Sequence, residues 1–204
     1  MKISGITYQG PQERDEKLLA RLPGPLRSLL SQINGFILMG GALHVRGACK
    51  LPAWHSLEEA WVGKTGFSVS YQAVDPEDVP FAEDALGDQF LLREGVVSRL
   101  HAETGVIEHL GKSLFEFLEA VQGDPVSALQ LVPFLSFYRD GGRLQPGELL
   151  MAYPPYCTSE SEAGVSFKAV PAAQRLGFLA DFSAKVSKLP EGARISIQLV
   201  RDAG

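Results

Sequence analysis

The segment VPFAEDALGDQFLL, Val79 to Leu92, places three carboxylates between two apolar runs. This pattern predicts a polar turn between strands, anchored by Phe81 and Phe90, in which Gly87 adopts an unusual backbone angle. Another acidic cluster comes directly before the segment. Six acids therefore lie between residues 75 and 88 with no Lys or Arg among them: Asp75, Glu77, Asp78, Glu83, Asp84 and Asp88. We regard these six as candidate partner-binding residues, because a cluster of one sign steers a partner of the opposite sign.

Two chemical interpretations of the acidic turn are weaker. A calcium loop of the EF-hand type needs oxygen ligands at alternate positions, and Leu86 would occupy one of them. Paired glycosidase carboxylates sit on separate elements across a cleft, whereas Glu83 and Asp84 are adjacent and expected to diverge. We therefore expect neither a metal site nor a catalytic carboxylate pair in this turn.

The composition is that of an ordinary soluble globular protein. The chain has 204 residues, 45% hydrophobic and 21% charged, which suffices for one sizeable core or a core with an appended lobe. The sequence contains no apolar run of 18 residues and no secretory signal, so we expect no membrane insertion. Cys49 and Cys157 lie far apart without CxxC spacing, which predicts two free thiols in a reducing cytoplasm.

The net charge of −5 is unevenly distributed along the chain. Residues 1–122 contain 16 acidic and 11 basic side chains, whereas residues 123–204 contain 8 of each. A negative field repels nucleic acid and attracts basic surfaces. We therefore expect no binding to DNA or RNA.

The order of the predicted elements indicates an α+β fold with an antiparallel meander. Helices are predicted over residues 12–22 and 25–33, the second ending at Asn34-Gly35 as its C-cap. A strand is predicted over residues 36–45, and short strands over 90–92, 96–100 and 106–110. Ser113 and Glu116 form a capping box that begins the next helix.

Residues 123–204 follow a different plan. A helix over residues 126–137 precedes strands over 148–153 and 165–170, a helix over 171–188 and a last strand over 195–199. The last four elements predict a ββαβ extension. We expect a core of residues 1–122 with residues 123–204 packed on it as an extension, with one continuous domain as the alternative.

Other reactive side chains give weak signals. None of the spacings HxH, HxxxH or HExxH occurs among the four histidines, which are His44, His55, His101 and His109. Cys157 could act as a nucleophile with a histidine as its base, but no strand–elbow–helix sequence surrounds it. The sequence therefore indicates no catalytic set, no metal site and no cofactor.

The sequence resembles the SUKH superfamily, also called the Smi/Knr family, over residues 18–121. The family pattern is a helix leading into Asn-Gly, a Phe-Ala-x-Asp-x-Gly-x-x-Phe segment and a closing Ser-Leu-x-x-Phe-Leu helix. The matching residues are Asn34 and Gly35; Phe81, Ala82, Asp84, Gly87 and Phe90; and Ser113, Leu114, Phe117 and Leu118. One departure is Phe36, which stands where a second glycine often follows Asn-Gly, and residues 123–204 lie outside the match.

The resemblance implies an α+β fold with a mostly antiparallel sheet and a non-enzymatic role. Bacterial SUKH proteins are similar to immunity proteins, which bind and neutralise toxins, many of them nucleases. An acidic inhibitor suits the basic cleft of a nuclease. The alternative is an intracellular scaffold or regulator of the Smi/Knr type. A third hypothesis is a hydrolase that uses Cys157 or a carboxylate pair.

Overall fold

In the part of the chain that the structure describes, seven strands form one antiparallel sheet whose spatial order is the order of the chain. The computed structural model describes residues 3–64, 66–190 and 192–193. The strands are β1 Ile6–Gln9, β2 Phe36–Leu38, β3 Leu43–Val45, β4 Val79–Asp84, β5 Gln89–Arg93, β6 Val96–His101 and β7 Val106–Ser113. A smaller antiparallel sheet contains β8 Glu148–Tyr153 and β9 Ser166–Pro171.

The helices cover the large sheet and connect the two sheets. They are α1 Glu16–Arg21, α2 Gly24–Gln32, α3 Leu57–Val62, α4 Phe67–Ser70, α5 Leu114–Gly123, α6 Pro125–Leu129, α7 Val132–Arg139 and α8 Ala172–Val186. Two short 3-10 turns span Ala53–His55 and Ser159–Ala163. The predicted α+β class with an antiparallel meander is confirmed. In the described part of the chain, no helix has the length and apolar character needed to cross a membrane.

Both faces of the sheet are covered at β4, and this explains why β4 is buried along its whole length, whereas β7 at the edge of the sheet is largely exposed. On one face, Phe81 and Phe90 pack against Phe117 of α5, with ring centroids 5.9 and 4.6 Å away. On the other face, Leu91 and Leu100 pack in a second cluster with residues of α4 and α8. Neither Phe81 nor Phe90, the rings expected to anchor the turn, is exposed.

Several element boundaries differ from the predicted ones. The first helix is shorter than residues 12–22, because Asp15 caps it and α1 begins at the next residue. The strand predicted over residues 36–45 is a hairpin of two strands. The helix predicted over residues 126–137 divides into α6 and α7 at Gln130, which has a left-handed backbone. Periodicity alone does not reveal such local reversals of the chain.

Asn34-Gly35 does not cap a helix, contrary to the prediction. The amide nitrogen of the Asn34 side chain donates to the carbonyls of Pro11 and Glu13 at 3.0 and 2.9 Å. Its oxygen accepts a hydrogen bond from the main-chain N–H of Ala48 at 2.7 Å. Asn34 therefore joins three separate segments of the chain, which is a tertiary role.

The capping box is confirmed at the start of α5. The Ser113 hydroxyl accepts a hydrogen bond from the Glu116 amide, and the Glu116 carboxylate accepts from the Ser113 amide. Just before it, β7 bulges around Gly111, so the pairing with β6 shifts register between Val97 and Ser98.

The C-terminal elements share the main hydrophobic core. Leu129, Phe134 and Leu150 are buried in the same cluster as Phe81 and Phe90. The two strands and one helix predicted for the extension correspond to β8, β9 and α8. The last predicted strand, over residues 195–199, lies outside the described residues.

Candidate functional site

The six candidate acids do not form one exposed face. Asp75 and Glu77 are exposed. Asp78, Glu83 and Asp84 are each only 2% exposed, and an arginine side chain binds each of them. The expectation that all six face a partner is therefore corrected, because burial and ion pairing remove these three from the surface.

Glu83 belongs to a buried polar cluster on the second face of the sheet. Its Oε2 accepts hydrogen bonds from Arg46 Nη2 at 2.7 Å and from Gln89 Nε2 at 3.2 Å. Its Oε1 lies 2.9 Å from Nδ1 of His44. Burial opposes ionisation of this carboxyl, yet Arg46 and His44 lower the pKa of Glu83 to about 2. Glu83 is therefore an ionised structural residue.

His44 of this cluster also contacts a second buried histidine, His55. Nε2 of His44 lies 2.8 Å from Nδ1 of His55, and Nε2 of His55 lies 3.0 Å from the carbonyl oxygen of Asn34. A Cβ on Gly35 or Gly47 would come within 2.7 Å of the His55 ring. Glycine is required at both positions to leave room for the buried imidazole.

Asp84 and Asp88 form a separate cluster around Arg99. Arg99 donates from Nη2 to Asp84 at 2.7 Å and from Nε to Asp88 at 3.0 Å. The other oxygen of Asp84 accepts three main-chain N–H groups of the turn, from residues 86, 87 and 88. Burial and the neighbouring Asp88 raise the pKa of Asp84, and Arg99 and the turn amides counteract this.

Gly87 has the positive φ that the sequence predicted, at +95°. A Cβ at this position would also lie 2.9 Å from the Leu179 side chain of α8. Two features therefore require glycine at this position: the turn needs its positive φ, and α8 packs directly on it.

A cleft of about 630 Å³ opens beside this turn, between the end of the meander and the C-terminal elements. Charged side chains form its floor, namely Asp88, Arg99, His101, Glu103 and Arg175. Apolar side chains form its rim, namely Val126, Val132, Pro133 and Tyr156. A concave surface with this division of polar and apolar groups is typical of a binding site.

The floor of the cleft is fixed by hydrogen bonds. Arg175 is 1% exposed, donates to the Leu86 carbonyl at 3.1 Å and lies 3.5 Å from Glu103. Burial raises the pKa of Glu103. His101 lies 3.3 Å from Asp88, and this hydrogen bond raises the pKa of His101. The floor therefore contains two hydrogen-bonded groups, Arg99 with Asp88 and His101, and Arg175 with Glu103.

Cys157 lies on the wall of the cleft, where the sequence left open a nucleophilic role. Burial and the nearby Glu103 carboxylate raise the pKa of its thiol, which disfavours the reactive thiolate. The main-chain N–H of Cys157 donates to Glu103 at 3.3 Å. Both cysteines of the chain are free, Cys49 in the interior and Cys157 at the surface. The described residues contain no cluster of three or more potential metal ligands.

An exposed apolar strip continues from the rim of the cleft along α7. Val132, Leu135 and Tyr138 are spaced by three residues and are 69%, 46% and 38% exposed. Residues at this spacing lie on one side of a helix. Val126 and Tyr156 extend the strip around the opening. A contiguous apolar strip next to a polar cleft is a feature of interaction surfaces.

The exposed acids Asp75 and Glu77 lie at the other end of β4 from this cleft. The strand has six residues, so it separates them from the cleft by about 20 Å. In contrast, Glu160 and Glu162 are in the 3-10 turn that begins two residues after Cys157.

Comparison with known proteins finds a likeness of fold and no sequence family. The sequence matches no protein-family model and no curated protein. The crystal structure of Atu4351 from Agrobacterium tumefaciens is similar to this chain, with a TM-score of 0.53 and 15% sequence identity. The likeness covers 86% of this chain and 85% of that one. It therefore extends over the meander and the C-terminal elements together, and at this identity it shows a shared fold.

Proposed function

We propose that this chain is a non-enzymatic protein-binding module, an immunity protein that neutralises a cognate bacterial toxin by direct contact. The observation that carries the proposal is the exposed apolar strip of α7 beside the charged cleft. Val132 leaves 69% of its surface in water although it lies on a regular helix. Covering such side chains with a partner is favourable by roughly 25 cal/mol per Å² of apolar area.

The floor of the cleft suits this role because it is rigid. Arg99 and Arg175 are fixed by hydrogen bonds in the free protein. A preorganised polar floor loses little side-chain freedom when a partner binds, so more of the contact energy appears as affinity. An apolar rim with a polar, hydrogen-bonding centre can supply both affinity and orientation.

The choice of a toxin as the partner rests on the resemblance to SUKH proteins. The net charge of −5 agrees with a basic partner such as a nuclease, whose phosphate-binding cleft is positive. Glu160 and Glu162 extend the negative charge next to the cleft, and Asp75 and Glu77 extend it elsewhere. A cytoplasmic location belongs to the same proposal, since an immunity protein of this kind meets its toxin inside the cell. The proposal assigns no cofactor and no metal.

The experiment is co-expression with the toxin domain encoded by the neighbouring gene, with growth rescue and pull-down as measurements. The test variant is Val132→Asp with Leu135→Asp, which places two charges on the apolar strip. The matched control is Leu51→Asp, because Leu51 is 75% exposed and does not line the cleft. We expect the wild type and the control to bind and rescue, and the double variant to lose at least tenfold in affinity while it stays folded.

Unchanged binding by the double variant would place the interface elsewhere and contradict the proposed surface. If the wild type neither binds the toxin nor rescues growth, the immunity function itself is wrong. An isolated gene without a toxin neighbour would then favour the scaffold or regulator of the Smi/Knr type.

A further inference from the structure

The buried polar cluster around Glu83 contains an unbroken line of four polar groups in the interior. It runs from Glu83 Oε1 through the His44 ring and the His55 ring to the carbonyl oxygen of Asn34. The three contacts measure 2.9, 2.8 and 3.0 Å. The ring planes of the two histidines differ by only 23°, and the facing nitrogens meet edge to edge. Each contact therefore has the geometry of a hydrogen bond.

The chemistry at the two ends fixes how many protons this line needs. A carbonyl oxygen only accepts hydrogen bonds, and so does an ionised carboxylate. Nε2 of His55 must then carry a proton for Asn34, and Nδ1 of His44 must carry one for Glu83. A third proton is needed between the two facing nitrogens, whereas two neutral imidazoles supply only two. When both imidazoles are neutral and the line holds only two protons, two lone pairs face each other in one of the three contacts.

The surroundings oppose the third proton without excluding it. Both rings are buried, and the positively charged Arg46, which directly follows β3, binds the oxygen of Glu83 that faces away from His44. The other titratable groups around the pair are Tyr8 on β1, whose ring lies 5.3 Å from His55, and Glu148 on β8 across a cavity of about 130 Å³. The negative charge that faces the pair directly is Glu83, and it is in contact with His44.

We propose that His44 and His55 together form a buried site that takes up one proton, shared between their facing nitrogens. Uptake places the proton between Nε2 of His44 and Nδ1 of His55, and no covalent bond between heavy atoms forms or breaks. All three contacts then become hydrogen bonds, and the pair carries one positive charge beside Glu83. A second added proton has no acceptor left in the line.

The proton affinity of this site is lower than that of a free histidine. Burial lowers the pKa of His44 and, with the neighbouring ring, lowers the pKa of His55 to about 4. We therefore expect the site to fill on the acid side of neutrality, in a protein that is still folded.

The test follows the imidazole nitrogens of the ¹⁵N-labelled wild type by NMR from pH 8 to pH 4. We expect Nε2 of His44 and Nδ1 of His55 to shift together with one midpoint, each by about half of the change of a complete imidazolium. Free histidine in the same buffer supplies the complete change as a reference. Separate midpoints, a complete change on one ring, no change in the folded protein, or unfolding before either ring titrates would each overturn the proposal.

A matched variant tests the proton count. In Glu83→Gln the side-chain amide can donate to Nδ1 of His44, so that two protons complete the line. We expect the joint titration to disappear in this variant and to remain in the control His109→Gln. A joint titration that survives in Glu83→Gln would contradict the count. If Glu83→Gln does not fold, because Arg46 loses its partner, the wild-type titration decides alone.

Discussion

Replacement of Arg99 by methionine tests the charge cluster that supports the cleft. Arg99 is the cation hydrogen-bonded to both Asp84 and Asp88, and its side chain is 4% exposed. Methionine retains most of the apolar volume and removes the charge. Asp84 then keeps its three turn amides, but both carboxylates stay buried without their common counterion. Breaking a buried pair in this way costs about 3–5 kcal/mol.

The assay is urea unfolding at pH 7 and pH 5, followed by circular dichroism. We expect Arg99→Met to lower the free energy of unfolding by about 3–5 kcal/mol at pH 7. Without Arg99, repulsion raises the folded-state pKa of the Asp84–Asp88 pair, so that the folded protein binds more protons than the unfolded chain. The variant should therefore lose less stability at pH 5 than at pH 7.

Two controls sharpen this measurement. Arg143→Met removes an exposed arginine that lies over the Tyr138 ring, and it should cost less than about 1 kcal/mol. In an Asp84→Asn background, Arg99→Met should cost less than in the wild type, since one carboxylate is already neutral. A loss below about 1 kcal/mol for Arg99→Met alone would refute the structural role of this cluster.

Three further predictions concern the turn, the cleft and the thiols. Gly87→Val should lower the unfolding free energy by about 1–3 kcal/mol in a urea titration, because φ is positive there, and a wild-type midpoint would refute this. The contact of His101 with Asp88 stabilises the folded protein when His101 is protonated. This stabilisation is fully present below the unfolded pKa of His101, about 6.5, and is lost as pH rises through its raised folded pKa. His101→Gln should therefore cost more at pH 5.5 than at pH 8.5, and an equal cost at both would argue against the pairing. Thiol titration should find the exposed Cys157 accessible to the reagent in the native protein and the buried Cys49 accessible only after unfolding, with two equivalents in total; a total near zero would show a disulfide.

The sequence predicted those features that depend on neighbouring residues. The turn at Gly87, the rings of Phe81 and Phe90 and the capping box at Ser113 all follow from residues a few positions apart. Local spacing determines turns, caps and the periodicity of apolar residues, and these are what such patterns can predict.

The charge pairing could not be predicted in this way. Glu83 binds Arg46, which is 37 residues away in the chain, and Asp84 binds Arg99, which is 15 residues away. An acidic residue with no basic residue near it in the sequence is expected at the surface, because charged residues are seldom buried without a partner. The available signal was the alternation of His44 and Arg46 on either side of Val45, at the end of an otherwise apolar segment. That pattern places two polar side chains on one buried face, where they need an acid.

The hydrogen bonds that C-terminal residues donate to the turn after β4 have a consequence for the order in which the chain folds during synthesis. The Ala85 carbonyl accepts a hydrogen bond from the Leu150 amide. The Leu86 carbonyl accepts one from Arg175, which is 89 residues further along the chain and is synthesised much later. On the ribosome, the meander and α5 are complete while both carbonyls still face water. We expect the two carbonyls to gain their hydrogen bonds only after α8 has left the ribosome. Emergence of this helix is therefore the step at which the nascent chain reaches its final fold.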